Sequence, residues 1–253
     1  MTYCLAIRVK QGIVFAADTR SNAGVDYVTS YRKLHTFPTA DDRVIVLLSA
    51  GSLATSQAVR NWIRRDLEAK DGRDNLNSAR YLFEVAEYVG RINRSVQEEH
   101  REELDRSSIS GEASLILGGQ INGDAPEIFL IYPQGNFIEA SEDTPYLQSG
   151  ENKYGKPILD RLITTDMDLE LATRVAIISL DATISSNVTV AAPIDLAVYE
   201  SDSLRTPRSA RLDSSDPYFQ RIRDQWQETI VAGLRDLPPF GWDSAETTPL
   251  KNG

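Results

Sequence analysis

Thr2-Tyr3-Cys4-Leu5-Ala6-Ile7-Arg8-Val9-Lys10, Gln11-Gly12, Ile13-Val14-Phe15-Ala16-Ala17-Asp18: this opening stretch decides the fold. From Leu5 onward apolar residues alternate with others, the period-two signature of a β-strand. Two strand-like runs, Tyr3 to Lys10 and Ile13 to Asp18, flank Gln11-Gly12. That dipeptide is a two-residue hairpin signal, with glycine supplying the turn conformation. A secretory signal would need a basic start, an apolar stretch and a small-residue cleavage site, whereas Met1 runs straight into a strand. No apolar run approaches the roughly 20 residues that span a bilayer. A cytoplasmic protein without a membrane or nucleic-acid partner is expected.

Outward from the hairpin, a polar loop holds Ser21-Asn22-Ala23-Gly24, and short extended stretches flank Thr29 to His35. Arg43 to Ala50 reads as a buried strand ending at Gly51. The pattern then turns helical from Ser52 to Lys70, with Leu53, Val59, Trp62, Ile63 and Leu67 near helical spacing. Asn77-Ser78 is the expected cap of a second helix, which carries Leu82, Val85, Val89 and Val96 and runs to about Leu104. Its charged end, Glu98 to Glu103, reads as a solvated face. Three strands follow at Ala113–Leu117, Glu127–Tyr132 and Asn136–Ala140, joined by Asn122-Gly123-Asp124 and Pro133-Gln134-Gly135. A third helix is expected between Lys153 and Leu162 with Pro157 in its first turns, and a fourth from Leu169 to Ser185. Strands near Thr189–Ala191 and Leu196–Tyr199 complete the series.

Blocks of strands and helices in this order indicate an α+β fold: two sheets face to face, each covered outside by two helices. Residues 1–200 are expected to form this domain. Residues 201–253 form a C-terminal extension with an amphipathic helix at about 218–234 and a tail. Along that helix Phe219, Ile222, Trp226, Ile230 and Leu234 recur at three- or four-residue steps.

Composition narrows the function. The 253 residues suit one large domain with a core of its own. A net charge of −10 argues against a nucleic-acid surface, which needs clustered positive charge. One cysteine and two histidines form no disulfide and make a poor metal site, so no cofactor is expected. Cys4 lies in an apolar run and reads as a small buried hydrophobe rather than a nucleophile.

The chemistry begins at Thr2. Removal of Met1 would leave a threonine whose own α-amine activates its hydroxyl. That amine has an ordinary pKa of about 7.7–8.0, so a nearby cation need lower it only modestly. Asp18 ends the strand paired with the first and returns near the amino terminus. Lys33 lies on a later extended segment, and an Asp–Lys pair there would keep the ammonium charged. Gly51, between a buried strand and a helix, is placed to offer its N–H to an oxyanion. Singly, each has a plain alternative: a chain start, a turn residue, a surface cation, a strand stop.

Together they match a family. Thr2, Ile13-Val14-Phe15-Ala16-Ala17-Asp18-Thr19-Arg20, Tyr31-Arg32-Lys33 and Leu48-Ser49-Ala50-Gly51-Ser52 resemble the proteasome β-subunit and HslV pattern of N-terminal-nucleophile hydrolases. The run from Ala16 to Gly24 is most similar to the bacterial ancestral β-subunits (Anbu). The resemblance implies a four-layer αββα sandwich, Thr2 as nucleophile and base, Asp18 and Lys33 as its partners, and Gly51 as oxyanion donor. Gln148-Ser149-Gly150-Glu151 resembles the family's Ser-Gly segment, which implies a supporting role for Ser149. Leu180-Asp181-Ala182-Thr183-Ile184-Ser185 resembles the segment of a supporting aspartate and serine, implying Asp181 and Ser185. The spacing between those two is one residue longer than in eukaryotic and archaeal β-subunits.

Three functions fit these residues: a threonine peptidase acting through an acyl-enzyme, an amidase for a small molecule, and an assembly subunit with little or no activity. The resemblance further implies a homo-oligomer, as a ring or an open spiral, acting on peptide or protein. It also implies sites facing an inner chamber and an ATP-dependent unfoldase or operon partner that serves it.

Overall fold

The opening hairpin forms in the structure, a computed structural model that describes residues 2–22, 28–69, 71–99, 101–106 and 109–240. Its two-residue turn is Lys10-Gln11 rather than Gln11-Gly12, because Gly12 already pairs with Val9 as the first residue of the second strand. Strands β1 (Tyr3–Val9) and β2 (Gly12–Asp18) pair antiparallel, Cys4 opposite Ala17 and Val9 opposite Gly12. Both are buried on two faces, which explains why few polar residues interrupt them. Tyr3, Leu5, Ile7, Val14 and Ala16 point to one hydrophobic layer; Cys4, Ala6, Ile13, Phe15 and Ala17 point to another.

The first sheet has the order β10-β1-β2-β11-β12, adding β10 (Tyr146–Gly150), β11 (Ile194–Glu200) and β12 (Arg208–Leu212). The second runs β5 (Leu34–Thr36), β6 (Arg43–Gly51), β7 (Ala113–Ile121), β8 (Glu127–Ile131) and β9 (Phe137–Glu139) in chain order. A two-stranded ribbon, β3 (Arg20–Asn22) and β4 (Val28–Ser30), stands apart. The sheets meet on a middle core holding Phe15, Leu48, Ile116, Ile128, Leu147 and Tyr199. Val44, Val46 and Leu48 of β6 face this core. Ile45 and Leu47, between them in sequence, face helices α1 (Leu53–Glu68) and α2 (Leu82–Glu99). On the far side α4 (Lys156–Leu162) and α5 (Leu169–Ser186) cover the first sheet through Leu159, Ala172, Val175 and Leu180. Helix, sheet, sheet, helix: the expected α+β sandwich is present.

Local chemistry sets the helix starts. The Ser52 side chain accepts from the Thr55 N–H at 3.3 Å and opens α1. Asp168 accepts from the Leu171 N–H at 2.7 Å and opens α5. Asn77 and Ser78 do not cap α2. Ser78 closes a turn onto the Asn75 carbonyl, the Asn77 side chain accepts from the Ala40 N–H, and α2 starts at Leu82. There the Glu84 carboxylate accepts from the N–H groups of Arg80 and Tyr81. The expected extension to Leu104 is a separate short helix, α3 (Arg101–Arg106).

Residues 189–191 are not a strand. Asn187 Oδ1 accepts from the Thr189 N–H and hydroxyl, and Val190 N–H returns to the Asn187 carbonyl, making a turn. Two strands absent from the sequence reading, β10 and β12, flank the first sheet. Helix α6 (Pro217–Arg235) occupies the expected position, and among the described residues its first half is the more closely packed. Phe219 is buried and Ile222 partly so, whereas Ile230 and Leu234 are exposed, Leu234 by 62%. The tail expected from Pro238 lies beyond residue 240 for most of its length and so outside the described residues, Trp242 included. Among the described residues no helix is long and apolar enough to cross a membrane.

Candidate active site

The open end of the β1–β2 hairpin brings together Thr2, Asp18 and Lys33. Thr2 precedes β1 and is 8% exposed. Its carbonyl accepts from the Glu151 N–H at 2.8 Å, just past β10. The N–H of the same peptide, on Tyr3, donates to Asp18 Oδ1 at 3.0 Å. The Thr2–Tyr3 peptide unit is therefore gripped from both neighbouring strands.

Asp18 is fully buried at the end of β2. Its Oδ1 also accepts from Lys33 Nζ at 2.8 Å, and Oδ2 accepts from the Arg20 N–H at 3.0 Å. Lys33, 4% exposed, makes a second bond of 2.6 Å to the Arg20 carbonyl. The backbone beside it is fixed, since the Ser49 N–H donates to the Lys33 carbonyl at 3.0 Å. Burial pushes the Asp18 carboxyl above its usual range, while Lys33 and the two N–H donors pull against that rise. An ion pair this buried is tolerated only because each group also has further hydrogen-bond partners.

Cys4 faces the middle core with its thiol 3.8 Å from the Ser149 carbonyl. Burial pushes the thiol up to about 12, against the pull of Lys33, so it stays protonated at neutral pH. Gly51 ends β6 opposite Ala113 with φ of 100°. A Cβ there would stand 2.3 Å from the Glu112 carbonyl oxygen, so only glycine fits.

A family model described as "Proteasome subunit" matches residues 2–199. The chain belongs to the proteasome-subunit family. Among solved structures it is similar to Anbu (ancestral beta-subunit) from Yersinia bercovieri, at 41% identity over 94% of this chain and 98% of that one, TM-score 0.87. It is equally similar to the chain of "Helical Assembly of the Anbu Complex from Pseudomonas aeruginosa", at 41% identity over 96% and 100%, TM-score 0.89. Anbu from Hyphomicrobium sp. strain MC1 matches at 42% identity over 94% and 99%, TM-score 0.84. No curated protein matches the chain.

Within this proteasome-type subunit the remaining residues singled out from sequence are spread more widely. Ser149 lies on β10 directly opposite Cys4 and is nearly buried. Asp181, on α5, faces Arg223 of α6, whose Nε lies 2.7 Å from Oδ1 but off the hydrogen-bonding direction, an ion pair only. Burial raises its pKa, opposed by Arg223. Ser185 is exposed on the last turn of α5. Among the described residues neither is hydrogen-bonded to Asp18 or Lys33.

Sequence reasoning missed the residues that tie this end together. The Glu151 carboxylate accepts from the N–H groups of Asn152 and Lys153, both at 2.9 Å, and from Asn187 Nδ2 at 2.6 Å. Arg20 Nη1 donates to the Val188 carbonyl at 2.5 Å. The Thr19 hydroxyl donates to the Pro193 carbonyl at 2.9 Å and accepts from Ser30. The one signal for Glu151 was its place directly after Ser149-Gly150; nothing in the sequence linked it to Asn187.

Proposed function

We propose that this subunit is a threonine-type amide hydrolase acting on peptide or protein, with Thr2 as nucleophile after removal of Met1. The Thr2 hydroxyl gives its proton to its own α-amine as the oxygen adds to the substrate carbonyl carbon. The amine passes that proton to the leaving nitrogen as the C–N bond breaks, leaving an ester on Thr2. A water then adds to the ester under the same base, releasing the carboxylic acid and restoring the hydroxyl. The Lys33 ammonium, held by Asp18, lowers the pKa of the α-amine so that it is free to act as base. The Gly51 N–H receives the oxyanion.

The observation that carries this reading is the meeting of the Tyr3 N–H and Lys33 Nζ on one oxygen of buried Asp18, at 3.0 and 2.8 Å, immediately beside Thr2. The test is intact mass after exposure to a threonine-directed electrophile. The native chain should begin at Thr2 and gain one adduct. Thr2→Ala should gain none, and Lys33→Ala should label at least 100-fold more slowly, the rough scale of a lost catalytic proton transfer. Retention of Met1, or full labelling of Thr2→Ala, sinks the mechanism.

The subunit works, in this reading, in the cytoplasm as a homo-oligomer, a ring or an open spiral. Residues 1–200 form the catalytic unit and residues 201–253 an extension that meets neighbours. Exposed Ile230 and Leu234 on α6 support that last role.

A further inference from the structure

Beyond Asp18, a second acidic residue with a buried side chain adjoins Thr2 through its backbone, and the mechanism above leaves it unused. Glu151 is 4% exposed, although glutamate is almost never fully buried without partners. Its partners are complete and of one polarity. Oε1 accepts two backbone N–H bonds from Asn152 and Lys153, and Oε2 accepts from Asn187 Nδ2. These donors, the Lys153 N–H foremost, hold the carboxyl below its usual range, so the group is ionised at neutral pH.

The backbone of the same residue touches the nucleophile. Its N–H donates to the Thr2 carbonyl at 2.8 Å, and the preceding Gly150, at φ 92°, passes so close that a Cβ would lie 1.9 Å from that oxygen. The Thr2–Tyr3 peptide plane thus sits between two acids. Asp18 holds its N–H through a side chain, and Glu151 holds its carbonyl through the backbone. What fixes the Glu151 backbone is its own carboxylate, which ties the chain after β10 to the turn at the end of α5. Asn187 is anchored in turn by the Thr189 N–H and hydroxyl on its Oδ1.

We propose that Glu151 and Asn187 are positioning residues of the Thr2 site, locking the Thr2 carbonyl, and with it the direction of the Thr2 hydroxyl and amine, to the C-terminal end of α5. The inference rests on the Thr2 reading. Its physical basis is that a displacement of about 1 Å in a reacting group lowers a rate on the order of 100-fold even when the residue responsible touches no substrate. Supporting side chains that accept from fixed donors are what prevent such drift.

The polarity of the Glu151–Asn187 bond supplies the test. Glu151→Gln keeps the oxygen facing the two backbone N–H groups but sets an NH2 against the Asn187 NH2, donor against donor. Asn187→Asp sets carboxylate against carboxylate. Combined, Glu151→Gln with Asn187→Asp restores one donor and one acceptor, and the carboxylate introduced at position 187 still accepts from Thr189. Acylation of Thr2 by the same electrophile is followed at increasing probe concentration, alongside thermal melting. Each single variant should acylate roughly 10- to 100-fold more slowly at saturating probe, with half-saturation unchanged. The exchanged pair should recover to within a few-fold of the native rate.

A merely structural link would lower the melting temperature and leave the saturated rate of the folded protein alone; that result overturns the proposal. So does an exchanged pair no faster than either single variant. If either single variant fails to fold, the exchanged pair alone decides, since it must then both fold and acylate. A native protein that never labels removes the Thr2 reading and this inference together. A native protein that labels while Glu151→Gln matches it removes only this inference.

Discussion

His35 shows how a single residue beside the candidate site reports its surroundings. It lies on β5, two residues beyond Lys33, and is half-buried. Burial first, then the nearby Arg60 and Arg32 charges, lowers its pKa from 6.5 to about 4, with Asp195 and a ring hydrogen bond to the Arg32 backbone opposing. The folded protein therefore resists protonation of this ring more than the unfolded chain does. The neutral ring's contribution is intact above pH 6.5 and is lost as pH falls toward 4. Urea melts from pH 7 down to pH 4 should show stability falling across that window. His35→Gln should remove on the order of 1–3 kcal/mol of the fall. A variant whose pH slope matches the native one would show that His35 is not the group being titrated. The Asp18–Lys33 pair belongs to the same scale. Replacing both with well-packed leucines would be near neutral for stability, whereas removing one partner alone would leave an unpaired buried charge.

At the scale of elements, β10 couples the sheet to the site. Five residues pair with β1 from Ile7 opposite Tyr146 to Tyr3 opposite Gly150, bringing Ser149, Gly150 and Glu151 alongside Cys4, Tyr3 and Thr2. Gly150 is the tightest point, combining a left-handed backbone with contact against the Thr2 carbonyl. Gly150→Ala should destabilise the fold by more than about 2 kcal/mol, from conformational strain and the forced retreat of Thr2. Labelling of the fraction that folds should fall with it. Denaturant unfolding together with probe labelling checks both, and native values for the alanine variant would show that the approach is relaxed in solution. The hairpin itself was legible because apolar residues alternate along β1, run on through β2 and flank a glycine-containing turn signal. Tyr146-Leu147-Gln148-Ser149-Gly150 is not, since it is a short mixed segment at a sheet edge whose strand character comes from its partner.

For the whole molecule the open question is what covers α6. Asp216 accepts from the N–H groups of Tyr218 and Phe219 to start the helix, and Phe219 enters the subunit core. The apolar stripe continues through half-buried Trp226 to Ile230 and Leu234, which are exposed among the described residues. Truncation after Ser215 would remove Phe219 and injure the core, so surface substitutions separate assembly from folding better. Ile230→Asp with Leu234→Asp should leave the melting of one subunit nearly unchanged and reduce the mass of the assembly by light scattering. An assembly of native size would refute a bridging role for α6. A monomeric full-length protein would overturn the homo-oligomer.

Sequence alone determined what depends on short-range pattern. Alternation in β1, short apolar runs in β2, β6 and β11, and helical spacing in α1 and α5 placed these elements within a few residues, and their block order indicated the α+β sandwich. Thr2, Asp18, Lys33 and Gly51 were legible as a set only through their resemblance to the proteasome β-subunit pattern; of these, the structure joins Asp18 to Lys33 and to the N–H that follows Thr2. Tertiary structure decided what depends on long-range pairing: that β10 seals the Thr2 end, that Asn187 begins a turn rather than a strand, and that Asp181 answers to Arg223. Glu151 and Asn187 are 36 residues apart in the chain and 2.6 Å apart in space. Each is an ordinary polar residue until the fold buries Glu151 and half-buries Asn187 beside it, and burial is what turns a solvated side chain into one that must find a specific partner.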